Sequence, residues 1–149
     1  MKKIVLSLAI ATVMLSSFTT YAADRNPGTA VKQALSREFS QAKDVEWTSL
    51  NKDGVYQAKF TYNNESLQAF FTEDGEFLGT TRQVAKNQLP ILVITALEKQ
   101  YADYRVATAF EYSKTDGLSY YITIVNANGG MVLKAAGNGD LSVYKKNVH

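Results

Sequence analysis

The chain contains no cysteine in 149 residues, and its one histidine, His149, is the last of them. The first absence excludes disulfides, thiolate metal sites, a thiol nucleophile and a lipid anchor on an N-terminal cysteine after export. The second removes the usual general base: a terminal imidazole has no neighbours to orient it, so a Ser-His-Asp arrangement is not expected. Charge of one sign is also missing. With residues 1–22 set aside as argued below, 16 − 2 = 14 basic residues face 14 acidic ones, and such a balance offers no basic surface to displace counterions from nucleic acid. No Gly-rich loop follows a strand pattern and opens a helix, so nothing cradles a phosphate.

What is present begins with an export signal. Met1-Lys2-Lys3, the apolar run Ile4 to Leu15, and a Ser/Thr-rich stretch ending in Thr20-Tyr21-Ala22-Ala23 form the charged, apolar and small-residue succession of a signal peptide. Thr20 and Ala22 suit the −3 and −1 places, so the mature chain is expected to start at Ala23, leaving 149 − 22 = 127 residues. That is enough for one domain, or for two small halves sharing a core. No later segment is long and apolar enough to span a bilayer, so the expected location is the periplasm or the medium, without stable membrane insertion after cleavage.

Residues 30–42, AVKQALSREFSQA, carry apolar residues at helical spacing with Thr29 or Asn26 as cap, and Leu89-Pro90 opens a second helix through ILVITALEKQYADY. The second is apolar almost all round in its first two turns, which predicts the deeper burial of the two. After each helix come four short alternating runs. The first set is Val45 to Leu50, Val55 to Tyr62, Ser66 to Thr72 and Phe77 to Arg82; the second is Val106 to Ser113, Ser119 to Asn126, Met131 to Ala136 and Leu141 to Lys145. Asp53-Gly54, Asn63-Asn64, Asp74-Gly75, Asp116-Gly117 and Asn138-Gly139 punctuate them as turns. Landmarks recur at 116 − 53 = 63, 139 − 75 = 64 and 97 − 35 = 62 residues, which points to an internal repeat over about 27–85 and 86–149. The expected class is α+β: helix plus four-stranded antiparallel meander, twice, with the helices on one face of the sheet.

Trp47, the Asp53 to Phe60 strand DGVYQAKF, the Phe70 to Leu78 hairpin FFTEDGEFL and the Leu89-Pro90 helix start, together with the leader, resemble the PepSY-like, β-lactamase-inhibitor-like exported proteins of Bacteroidetes-type bacteria. The resemblance covers essentially the whole mature chain and rests on turn glycines, core aromatics and a helix start. It implies helices on one face of an antiparallel sheet, with the other face concave and open, and carries over no catalytic residue. The secreted inhibitors of that fold have disulfides that this chain cannot form, so inhibition of a β-lactamase is not carried over.

The residues narrow the function further. Trp47 and the stripe Tyr56, Ala58, Phe60 and Tyr62 read as core. Glu73, Asp74 and Glu76 read as an acidic turn, since the ligand spacing of a calcium loop is absent, and most carboxylates stand in turns or beside lysines. No metal, no cofactor and no enzymatic activity are expected. If Leu67, Ala69 and Phe71 meet a helix, Phe70 faces away with Gln57, Lys59, Thr61 and Gln68; Tyr121, Thr123 and Lys134 likewise lie opposite Tyr120, Ile122, Ile124 and Leu133. The leading expectation is a non-catalytic binding or inhibitor-like module that offers this open face, through Lys59, Phe70, Tyr121 and Lys134, to an envelope protein or peptide. The alternatives are a small-ligand carrier or sensor with a pocket between helices and sheet, or, more remotely, an envelope hydrolase.

Overall fold

Apolar side chains at every third and fourth position wind the segment after Pro27 into α1, Thr29–Glu38, which buries Val31, Ala34 and Leu35. A computed structural model describes residues 26–50 and 54–148; the segment read from the sequence as a leader, Asn51, Asp53 and His149 lie outside them. The helix cap differs from expectation. Thr29 is already helical and Asn26 lies upstream, so extended Gly28 is the N-cap, without a side-chain bond, and its carbonyl accepts from the Lys32 amide at 3.3 Å.

Four strands follow: β1 (Lys43–Leu50), β2 (Val55–Tyr62), β3 (Glu65–Thr72) and β4 (Phe77–Gln83). A short 3₁₀ turn, Lys86–Gln88, leads into α2 (Ile91–Gln100), and then come β5 (Arg105–Lys114), β6 (Gly117–Asn126), β7 (Gly129–Ala136) and β8 (Leu141–Val148). Strand order is chain order within each unit, β1 to β4 and β5 to β8, and the pairing is antiparallel. This is the α+β architecture read from the sequence, a helix and a four-stranded meander repeated once. The chain divides into two compact units, the first ending at Thr81 and the second beginning at Arg82.

Register decides what each face carries. In the first unit Ala58 pairs with Ala69, and Phe60 with Leu67. Ala58, Phe60, Ala69 and Phe71 meet Val31, Ala34 and Leu35 of α1, with Phe39, Trp47 and Phe77 packed at the edges. In the second unit Ile122 pairs with Leu133, and Tyr120 with Ala135. These four, with Ala109 and Ile124, close over Val93 and Leu97 of α2 and over Val84 and Leu89 before it. Because successive strand residues alternate faces, Gln57, Lys59, Gln68 and Phe70, and likewise Tyr121, Thr123 and Lys134, point away from the helices, as the alternation predicts.

The expected deeper burial of α2 is not found. It buries only Val93 and Leu97, while Ile91 and Leu92 are 72% and 54% exposed. A helix lying on a sheet needs one apolar stripe, so the extra apolar residues of its first turn face water. Pro90 is the N-cap, not the first helical residue; its carbonyl accepts from Val93 and Ile94 at 2.9 and 3.1 Å.

The two units share a local device that goes beyond common turn chemistry. The β3–β4 turn is closed by the Gly75 amide on the Thr72 carbonyl and the Thr72 amide on the Glu76 carbonyl, both at 2.9 Å; the β7–β8 turn repeats this with Gly139, Ala136 and Asp140 at 3.0 Å. A Cβ at Gly75 would stand 2.7 Å from the Ala30 carbonyl oxygen of α1, and one at Gly139 would stand 2.8 Å from that of Leu92 in α2. Both glycines have positive φ, 83° and 92°. Each turn is therefore pressed against the first turn of its own unit's helix, and the repeat read from spacing is a repeat of contacts.

Candidate functional site

On β6 the side chains away from α2 begin with Tyr121, whose cross-strand neighbours are Phe110 and Lys134. Its ring meets Tyr144 of β8 edge-on at 5.1 Å between centroids and lies 6.4 Å from Tyr112 of β5. Three tyrosines thus form a row across the second unit, beside exposed Lys134. In the first unit the corresponding side carries Lys59 opposite Gln68 and Phe70 opposite Gln57. Lys59 is exposed and reaches Glu46 of β1 at 3.9 Å. The four residues singled out in the sequence therefore all stand on the side away from the helices, and Tyr121 and Lys134 are direct neighbours.

Exposure requires a correction. Phe70 is 0% and Tyr121 6% exposed, although neither helix packs on their face. Tyr121 is covered in part by the rings on either side of it. Phe70 pairs with Gln57 on one side and Gly79 on the other, at a bulge between Phe70 and Phe71, and this pairing does not by itself account for its burial. The alternation thus identified the face correctly but not the accessibility, because accessibility depends on what the neighbouring strands place alongside. Tyr112 and Tyr144 were not singled out by the sequence. Tyr144 enters the row through irregular pairing of β7 with β8, where the register shifts between Val132 and Leu133, and strict alternation carries no signal of that shift.

Burial pushes the Tyr112 hydroxyl up to about 12, with the charges of Tyr121 and Asp116 acting in the same direction. Tyr121 is raised by burial and then by Tyr144. A phenol with a higher pKa folded than unfolded holds its proton more tightly in the folded chain. Its contribution is thus complete below the ordinary value of 10.0 and is lost as pH rises toward about 12. Denaturation midpoints measured across that range should fall steadily, and Tyr112→Phe should flatten the fall.

Chemistry of other kinds finds little support. Among the described residues no three Asp, Glu or His side chains are grouped to hold a metal, and Glu73, Asp74 and Glu76 are exposed around their turn. Among the described residues two Ser-x-x-Lys spacings, Ser40 with Lys43 and Ser142 with Lys145, are exposed at all four positions, and Ser142 donates to the Lys134 carbonyl at 3.4 Å; a third, Ser49 with Lys52, has its lysine outside those residues. Arg82 grips Glu111 with two nitrogens, at 2.9 and 3.4 Å. That carboxylate also adds to the burial that raises the Tyr120 hydroxyl. Among the described residues no helix is long and apolar enough to cross a membrane.

No family model matches the chain, and no curated protein matches it. Solved structures do. A DUF2874 family protein from Bacteroides ovatus superposes with TM-score 0.71 at 19% identity, over 83% of this chain and 92% of that one. A BLIP-like protein from Bacteroides fragilis gives 0.70 at 20%, over 84% and 90%. A protein of Bacteroides eggerthii described as inferred to be periplasmic gives 0.71 at 16%, over 84% and 94%. At these identities the likeness is one of fold, and it agrees with the architecture that the sequence resemblance implied.

Proposed function

We propose that the chain is an exported, non-catalytic binding module that presents the side of its sheet away from the helices to a protein or peptide of the cell envelope. The observation that carries this reading is exposed Lys134 and half-buried Tyr144 standing over buried Tyr112 and Tyr121, so that a tyrosine row backs the surface. Tyrosine joins a large apolar ring to a polar tip, and it is among the side chains enriched where proteins meet. Lys134 in the second unit and Lys59 in the first supply charged contacts, while Tyr121 and Phe70 shape the surface from beneath. The leader read at residues 1–22 supports export, and the fold shared with a BLIP-like protein and with an inferred periplasmic protein supports binding in that compartment. Inhibition of a β-lactamase is not part of the proposal.

The test uses charge reversal at the exposed positions. Lys59→Glu and Lys134→Glu should change stability by no more than about 0.5 kcal/mol, as surface substitutions generally do. Each should reduce recovery of the envelope protein that the wild-type chain captures from an envelope extract. Undiminished recovery by both variants would move the binding surface elsewhere.

A further inference from the structure

At the C-terminal end of α2 the second unit opens a cleft of about 400 Å³. That is within the range of roughly 300–1,000 Å³ typical of small-molecule sites. Leu97, Val106 and Ile124 give it an apolar lining, and Tyr101 and Tyr104 line it as well, their rings edge-on at 5.9 Å.

The first unit explains why there is space. Phe39 and Tyr101 hold the same position in the two units: each is the residue after its helix, with its amide on the Leu35 or Leu97 carbonyl. Around Phe39 that corner is filled by rings, with Phe60 at 5.0 Å, Tyr62 at 5.5 Å and Phe77 at 6.0 Å. The hairpins close at Tyr62 with Glu65 and at Asn126 with Gly129. Counting back from those pairs sets Tyr62 against Asn126 and Phe60 against Ile124, and counting forward from Gly75 and Gly139 sets Phe77 against Leu141. Three aromatic side chains are thus replaced by smaller ones, and one of these, Ile124 in the place of Phe60, lines the cleft beside Tyr101.

Charge selects what could enter. Lys86 at the rim is already matched by Glu98 at 3.3 Å. Two carbonyls at this corner are occupied, Leu97 by the Tyr101 amide at 2.8 Å and Tyr101 by the Tyr104 amide at 2.9 Å. Arg105, which also lines the cleft, makes no ion pair among the described residues. The site therefore has one uncompensated positive charge, on a guanidinium whose fork matches a carboxylate.

We propose that this cleft binds a small aromatic monocarboxylate, the ring beside Tyr101 and Tyr104 and the carboxylate on Arg105. The same group is offered by a free aryl acid and by the C-terminal residue of a peptide ending in phenylalanine. This site lies on the helix side of the second unit, apart from the tyrosine row, and its occupancy does not depend on the reading given above.

Calorimetric titration and amide chemical shifts of the purified protein test the assignment, with 3-phenylpropionate, its amide and 3-phenylpropylamine as probes. The acid should bind and shift the amides of Tyr101, Tyr104 and Arg105, and the neutral amide should bind weaker by about tenfold or more. Arg105→Ala should cause the same loss with an unchanged melting temperature, since Arg105 is exposed. Ala102→Trp, at another exposed lining residue, should block the cleft. A Gly-Gly-Phe peptide with a free C-terminus, compared with its C-terminal amide, separates the two sources: binding of the free peptide at least as tight as the acid assigns a peptide end, and weaker binding assigns a free acid. Equal binding of acid and amide, preference for the amine, undiminished binding by Arg105→Ala, or no binding of any probe would each overturn the proposal.

Discussion

Replacing Phe71 with alanine is expected to cost ~3–5 kcal/mol, the range for truncating a buried aromatic side chain. The ring is fully buried, 5.7 Å from Phe77 and 6.2 Å from Trp47, and closes the first unit's core over α1. Ile122→Ala should cost ~2–5 kcal/mol by the same mechanism, since Ile122 is 0% exposed among Leu133, Val93 and Leu97. Urea denaturation of each variant measures both. Because strand side chains alternate, losses under about 1 kcal/mol at both positions would mean that the register is slipped by one residue and that the other face is the core.

The second large effect is expected at the paired turns. Gly75→Ala and Gly139→Ala place a methyl group 2.7 and 2.8 Å from a helix carbonyl oxygen, where the obstacle is backbone that cannot swing aside. Each residue is also held at a positive φ that an L side chain adopts at a cost of about 1–3 kcal/mol. Strain and collision should add, so each variant should lose more than backbone strain alone. Gly137→Ala in the same β7–β8 connection is the control, because its Cβ would meet nothing within 4 Å. Thermal melting of the three variants should show two marked losses and one near-neutral change; a near-neutral Gly139→Ala would show that the turn does not bear on α2.

Much of this was legible in the sequence because it is written in local chemistry. Turn glycines and alternating strands gave the two meanders, helical spacing gave both helices, and offsets of 62 to 64 residues gave the repeat. What was not legible depends on residues distant in the chain. The exposure of Ile91 and Leu92 could not be read from a helix apolar on every side, since only the sheet beneath decides which stripe is covered. The burial of Tyr121 likewise depends on neighbours across strands, Tyr112 and Tyr144. The cleft beside Arg105 was the least visible, because it shows only in a difference between two copies, Ile124 lining it where the first unit has Phe60 packed on Phe39. It becomes apparent once the hairpin registers align those residues.

The contact between Gly75 and α1, repeated by Gly139 and α2, also sorts the loops for engineering. Asn63 and Asn64 are exposed at the β2–β3 turn, and a side chain at Gly129 in the β6–β7 turn would meet nothing within 4 Å. An epitope, a fluorophore-bearing segment or relocated chain termini can be carried at those two connections, because lengthening them displaces only water. At Asp74-Gly75 and Asn138-Gly139 the same insertion would pry the turn from the helix beneath it. Hairpins of similar length in one small chain thus differ as attachment points, according to whether a carbonyl oxygen or bulk solvent lies behind the glycine.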